Sequence, residues 1–522
     1  MLRFLLLSAM LSFGISTTWC QSLYMPRDVR QAFAKGTRSP DGRPGSKYWQ
    51  NTGRYTISLT ALPPDRNIRG SEQIVYVNNS PDTLRAPVIK LFLNIHKPGA
   101  PRVIGAEENY LTSGVHIDAF SVNGQTEKWD DDAALFTVQP FYLARPLLPH
   151  DSVRLAFDWH YQISLQSNRE GMIDSTTYFL AYFYPRVAVY DDVDGWDRMN
   201  FTDAQEFYSD FNDYSVTINA PANFIVWGTG TLQHPETLLQ PEFARRFAAS
   251  LHSDRTIHIA TRQELETKKV TAQNAVNNWE FRATDIPDMV FGLSDHFDWD
   301  AASVVVDDAT QRRAGVQAAY NDTAADFHSM VQYGRHALDW FSHHSPGIPY
   351  PYEKTTIFHG YAGMEYPMMV NDETYADTLF SRFVAEHEIA HTYMPFYMGI
   401  DETRYGFMDE GWATTFELLI GRADMGTEKA DGFYRQFRVN RWIIASPPIN
   451  TCRSSRREIS CPAPVWAVTN TGRPRWVTWP SKTCWATNCL PAVCMGIWIA
   501  GMAGIPFPGI SSIHLTMCPA RI

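Results

Sequence analysis

Residues Phe383 to Met394 read FVAEHEIAHTYM. On an α-helix, positions i and i+4 stand one above the other. His387 and His391 therefore aim two imidazoles at one spot, the geometry in which zinc takes nitrogen ligands. Glu388 stands beside the first histidine, within reach of a water at such a metal. Asp377 or Thr378 can cap the helix, and Pro395 stops it. Phe380, Phe383, Val384, His387 and His391 share one face at three- and four-residue spacing. The plain alternative is a buried helix whose histidines are satisfied by hydrogen bonds in a core.

A catalytic zinc usually has three protein ligands and one open position. Downstream stands YGFMDEGWATTFE, Tyr405 to Glu417, in which a second helix is expected from about Met408 to Ile420. Glu410 follows His391 with eighteen residues between them. Met394 and Tyr397 stand where a metzincin would carry its glycine and third histidine. The carboxylate of Glu410 is then the expected third ligand. Two imidazoles and one carboxylate suit zinc better than a harder cation.

HEIAH, the eighteen-residue gap and a glutamate inside DEGWA resemble the aminopeptidase N-like gluzincins, a family that includes leukotriene-hydrolase-type enzymes. AGMEYPMMVND, Ala362 to Asp372, resembles that family's glycine-methionine-glutamate exopeptidase segment. The resemblance covers about residues 46–445. It implies an α+β chain: an antiparallel β saddle-like domain, then a thermolysin-like, α-rich catalytic domain. It implies a zinc-dependent aminopeptidase acting on peptides with free N-termini, with one zinc per chain held by His387, His391 and Glu410. Glu388 would be the general base. Glu365, flanked by Gly363 and Met364, would bind the substrate's α-ammonium. Arg186 lies in YFYPRVAVYDDVDGW, which resembles the β segment lining the family's cleft. Where relatives often carry Gln or Glu just upstream, this chain has Tyr182. Glu386, Glu402 and Asp409 adjoin the motifs and can support the ligands. His328, His336, His343, His344 and His359 are expected on the surface or in helix packing.

The chain has 522 residues, 44% hydrophobic and 19% charged, which describes a globular protein of two or three domains. A net charge of −11 argues against a nucleic-acid partner. Met1 to Cys20 reads as a signal peptide, with a charged start and a short apolar run; a lipid anchor on Cys20 is the lesser alternative. No second apolar run of spanning length follows. The mature protein is expected to be exported: periplasmic, cell-surface or secreted. Residues 21–45 read as a lead-in, 46–285 as the β domain and 286–445 as the catalytic domain. Within the β domain RYTISL, SEQIVYVNN, VIKLFLNI, SVRLAFDWHYQISL, YSVTINAP and RTIHIATR carry strand signals. The character turns helical near Phe291.

Residues 446–522 are of another kind. Six of the seven cysteines lie between Cys452 and Cys518, among five tryptophans, with no Asp or Tyr and a single Glu, Glu458. The resemblance requires an oxyanion-stabilising tyrosine some sixty positions past Glu410, yet no tyrosine follows Tyr434. Reading RWVTWPSKTCWATNCL across its codon junctions permits a family-like helix, and the Asn470–Thr471 junction then encodes only Tyr or His. We read this tail as out of frame, with the shift between about Ile444 and Cys461; a disulfide-rich extension is the alternative. Sequencing the gene across codons 440–475 is expected to reveal a gained or lost base; an unaltered read would leave the chain without its oxyanion tyrosine. The runner-up to an impaired aminopeptidase is a catalytically weak zinc- and peptide-binding protein.

Overall fold

The computed structural model describes residues 25–40, 42–103, 105–130 and 137–440. The expected signal peptide and the tail expected to be out of frame lie outside them. Two compact units are distinguished. The smaller contains residues 25–49 and Asp191–Gly195. Its helix, Arg27–Lys35, leads to Arg38, which makes a bidentate pair with Asp192 at 2.6 and 2.9 Å.

The larger unit begins with an eight-stranded sheet. Its strand order is Thr231–Leu232, Val276–Ile286, Asn212–Pro221, Thr52–Thr60, Asn67–Val77, Ser152–Gln162, His116–Val122 and Gln125–Glu127. Strict alternation explains its one-faced burial: Tyr55, Ile57 and Leu59 point inward from one strand, and Val153, Leu155, Phe157, Trp159 and Tyr161 from another. The expected antiparallel pattern is broken once, where Thr52–Thr60 runs parallel to Asn212–Pro221. Of VIKLFLNI, only Val88–Lys90 is strand. Phe92–His96 is a 3₁₀ turn with all five residues buried, which an alternating strand covered on one face could not achieve.

Glu72 interrupts the apolar face of Asn67–Val77. It is 3% exposed, and neither carboxylate oxygen has a hydrogen-bond partner. Burial holds its carboxyl well above the usual carboxylate range. A carboxyl raised in this way costs nothing below its unfolded value, near pH 4. Above that it destabilises the fold by about 1.4 kcal/mol per pH unit until the folded pKa is passed. Glu72→Gln is therefore expected to raise the thermal midpoint at pH 7 and leave it unchanged near pH 4. Calorimetry at both pH values checks this, and an equal shift at both would count against it.

Helical character begins later than Phe291. Phe291–Ser294 joins a four-stranded sheet with Ile225–Gly228, Thr177–Leu180 and Gly171–Asp174. Asp298–Asp307 and Arg312–Tyr320 lie inside a six-stranded sheet. Its order is Ile257–Ala260, Asp298–Asp307, Arg312–Tyr320, Lys354–His359, Met369–Asp372 and Met364–Tyr366. These central strands are buried nearly end to end, so no alternation marks them in sequence. Strands thus exchange across the 285/286 boundary: Ile257–Ala260 pairs forward into this sheet, and Phe291–Ser294 pairs back.

Helix Met330–His343 connects the parallel neighbours Arg312–Tyr320 and Lys354–His359 and packs on the sheet. Thr378–Ala390, the histidine helix, packs on it in turn, and Glu410–Met425 packs on the histidine helix. This last helix is longer at its C-terminus than expected. No helix among the described residues is long and apolar enough to cross a membrane.

Candidate metal centre and substrate cleft

Asp377 caps the histidine helix by accepting from the Leu379 N–H at 3.0 Å. The helix ends at Ala390, and a π-turn over Thr392–Tyr397, containing Pro395, follows. His387 and His391 are thereby fixed on its last turn, both buried. Their Nε2 atoms face each other at 3.3 Å, and Glu410 Oε2 lies 3.3 Å from His387 Nε2. His391 Nδ1–H donates to Asp409 at 2.5 Å, and His387 Nδ1 lies 2.9 Å from Glu417. With its Nδ1 proton directed at Asp409, neutral His391 presents Nε2 as a lone-pair donor beside His387 Nε2, and a cation between the two nitrogens would be held by both.

A tetrahedral zinc with bonds of about 2.0–2.1 Å sets its donors about 3.3–3.4 Å apart. The two separations from His387 Nε2, to His391 Nε2 and to Glu410 Oε2, fit that spacing, and the third pair lies within 4.8 Å. Asp409 and Glu417 are 0% and 2% exposed, and each orients one imidazole, the arrangement that fixes tautomer and raises ligand basicity at zinc sites. Arg438 bonds Glu417 and lies 3.2 Å from His387 Nδ1. Glu417 and Arg438 were not foreseen. Glu417 is seven residues past Glu410, two turns along the same helix face. Glu386, by contrast, pairs with Arg382 at 2.7 Å, and Arg382 also grips Asp424, so this network ties helices together rather than supporting a ligand.

Glu388 is 7% exposed, and its Oε2 has no hydrogen-bond partner. A Cβ added at Gly363 would stand 3.2 Å from Glu388 Oε1, so glycine there leaves room for the carboxylate. Met364 and Glu365 follow on the short strand Met364–Tyr366, whose hairpin is tied down from behind. Thr229 Oγ1 donates to the Pro367 carbonyl at 2.7 Å, and the buried Lys354 ammonium donates to the Met368 carbonyl at 3.3 Å. Oxygen and nitrogen atoms of Glu365, Glu388 and His391 lie within 4.8 Å of one another. The carboxylates of Glu206, Glu365 and Glu402 do the same. Glu206, from the β half, gave no local sequence signal. It is held by Arg169 at 2.5 and 2.7 Å.

Burial, with neighbouring carboxylates, pushes Glu365 up to about 8 and holds Glu388 and Glu402 well above the usual range. The His387 and His391 imidazoles hold Glu410 below that range.

Arg186 does not line this cleft. It is buried, bonded to Asp288 at 2.7 Å and stacked on Tyr184. Tyr182 does line it, at φ +58°, and its hydroxyl bonds that of Tyr366 at 3.1 Å. His359 stacks on Phe297 and Phe327, and His336 pairs with Asp424 at 2.7 Å; both are packing roles. Tyr434 is buried beside Glu417 and Arg438, while Tyr405 is 41% exposed.

No family model matches the chain, and no curated protein matches it. Among solved structures, it is similar to the M1 zinc metallopeptidase from Deinococcus radiodurans, at 15% identity over 77% of this chain and 78% of that one, TM-score 0.44. A mutant of that protein gives 14% identity over 79% and 80%, TM-score 0.46. A two-domain M1 zinc metallopeptidase mutant bound to L-tryptophan gives 16% over 77% and 79%, TM-score 0.46. At such overlap the chemistry has to be read from the site's own residues.

Proposed function

We propose that this chain is an exported zinc aminopeptidase of the aminopeptidase N-like type, impaired in the form given by its sequence. The observation that carries the reading is the pair of imidazole nitrogens facing each other at 3.3 Å with Glu410 at the same distance, next to an unpartnered, buried Glu388. His387, His391 and Glu410 hold one zinc, with Asp409 and Glu417 orienting the two imidazoles. Bound there, zinc supplies Lewis-acid polarisation of the scissile carbonyl and acidifies water. Glu388 takes the water's proton and passes it to the leaving amine.

Glu365, with Glu402 and Glu206, receives the α-ammonium. Oxygens of the three carboxylates lie within 4.8 Å of one another, close enough for one ammonium to reach more than one of them at about 2.9 Å. A peptide lacking the charge covers Glu365 and Glu402 without supplying them a cation, whereas Glu206 keeps Arg169. A free N-terminus is therefore required.

The test compares a short peptide with its N-acetylated form on the zinc-loaded full chain, by calorimetry and by product release. We expect binding of the acetylated form to be weaker by about a hundredfold and its cleavage to be absent. Equal treatment of the two would overturn the reading.

A second reading is favoured by one specific feature: no tyrosine follows Tyr434. Loss of one oxyanion donor costs about a hundred- to a thousandfold in turnover. Peptide binding with no detectable cleavage would make the chain a zinc- and peptide-binding protein.

A further inference from the structure

Glu206, Glu365 and Glu402 come from separate stretches of chain, and carboxylates gathered so closely repel one another once ionised. A run of contacts holds them together. Next to Glu365, the Tyr366 hydroxyl donates to the Arg169 carbonyl. The Arg169 guanidinium grips both oxygens of Glu206, at 2.5 and 2.7 Å. The Glu206 carbonyl in turn accepts from the hydroxyl of Thr403, next to Glu402, at 2.9 Å. The three carboxylates are thus joined through two flanking residues and one arginine.

Arg169 is itself fixed. The residue after it, Glu170, is buried and pairs with His96 at 2.7 Å, and His96 Nδ1 bonds the Tyr110 carbonyl at 2.8 Å. Gly171, at φ +130°, turns the loop so tightly that an added Cβ would stand 2.7 Å from the Gln166 carbonyl oxygen. Asn371 Nδ2 donates to the Asn168 carbonyl at 3.1 Å, a second tie between this loop and the hairpin of Glu365. Two bonds from a planar fork set the plane of the Glu206 carboxylate as well as its place, which a single ammonium would not do. Each carboxylate oxygen keeps a second lone pair for another donor. The Glu206 side chain is 15% exposed, so without the fork it has water to turn to.

We infer that Arg169 is a positioning residue of the amine site: it acts through Glu206, holding that carboxylate where Glu365 and Glu402 can share an ammonium with it. This rests on the proposal that Glu365 anchors the α-ammonium. Charge alone argues the opposite sign, since a guanidinium nearby repels an ammonium and its loss would tighten binding. Experiment separates the two.

The zinc-loaded full chain is titrated calorimetrically with L-alanine hydroxamate and with N-acetyl-L-alanine hydroxamate, which keeps the metal-binding group and lacks the ammonium. The parent should bind the free amine about a hundredfold tighter. Arg169→Gln should cut that preference by about tenfold or more, with the acetylated probe held within about twofold and zinc content unchanged. Arg169→Lys, which keeps the charge but not the fork, should show a smaller loss of the same kind, and it keeps the test open should the glutamine variant not fold. Glu206→Gln should reproduce the loss, and adding Arg169→Gln to it should change the preference no further, because two residues acting through one contact are not additive. An unchanged or enlarged preference in the Arg169 variants would overturn the inference while sparing the anchor. Equal weakening of both probes, or a further loss in the double variant, would overturn it too, by assigning Arg169 to the fold. A parent that does not distinguish the two probes would overturn the anchor, and the inference with it.

Discussion

Replacing His391 with alanine should leave the chain with no bound zinc after dialysis, against one equivalent in the parent, as read by elemental analysis. The imidazole supplies one of three donors and is the partner of Asp409, so its loss opens the ligand set and strands a buried carboxylate. Zinc present at about a thousand times its Kd stabilises the folded parent by about 4 kcal/mol. The parent should therefore melt higher with zinc than without, and the variant should show no difference. Asp409→Asn is the finer probe. It keeps the shape but removes the charge that orients His391, and it should weaken zinc by about 10- to 100-fold without abolishing it. Unchanged affinity in Asp409→Asn would mean that the 2.5 Å contact does not tune the site.

The second large effect concerns Glu388. Glu388→Gln should lower peptide hydrolysis by about a hundred- to ten-thousandfold while leaving zinc content and peptide binding intact. Because no tyrosine follows Tyr434 and the proposed reading expects slow turnover, the assay uses high enzyme concentration and single-turnover conditions. Retained hydrolysis in Glu388→Gln would show that another group moves the proton. Gly363→Ala should act in the same direction more weakly, because its methyl would lie 3.2 Å from Glu388 Oε1 and displace the carboxylate. A Gly363→Ala chain with parental activity would mean that Glu388 tolerates the shift.

The proposed zinc loading and base chemistry thus rest on residues that short-range spacing makes visible. His387 and His391 are four apart on a helix, and helical geometry alone aligns them. Glu410 and Asp409 are adjacent at the start of the next helix, so once one is assigned the other is close to hand. Gly363, Met364 and Glu365 lie in one short segment that is recognised as a unit. Lys354 and Thr229, which tie that segment's turn in place, could not be read this way. Thr229 lies 138 positions from the carbonyl it meets and Lys354 lies 14 from its own, and both contacts are with backbone carbonyls, which any residue supplies.

The long central strands Asp298–Asp307 and Arg312–Tyr320 were hidden for a related reason. Their burial on both faces erases the alternation by which a half-exposed strand announces itself. Phe92–His96 misled in the opposite direction, since a run of apolar residues looks like a strand whether it extends or coils.

What the sequence by itself determined is which residues the proposed chemistry would use: two imidazoles and a carboxylate for a zinc, a glutamate beside them for a proton, a glutamate on a hairpin for an amine. Each depends on neighbours within a few residues or on one helix-to-helix step. Only the tertiary structure decided what surrounds them. Glu206 meets Glu365 across 159 positions of chain, Glu417 turns back onto His387, and aromatic residues from both halves enclose one pocket. Such meetings follow from how the sheets and helices pack, and packing at long range leaves no periodic mark in the local sequence.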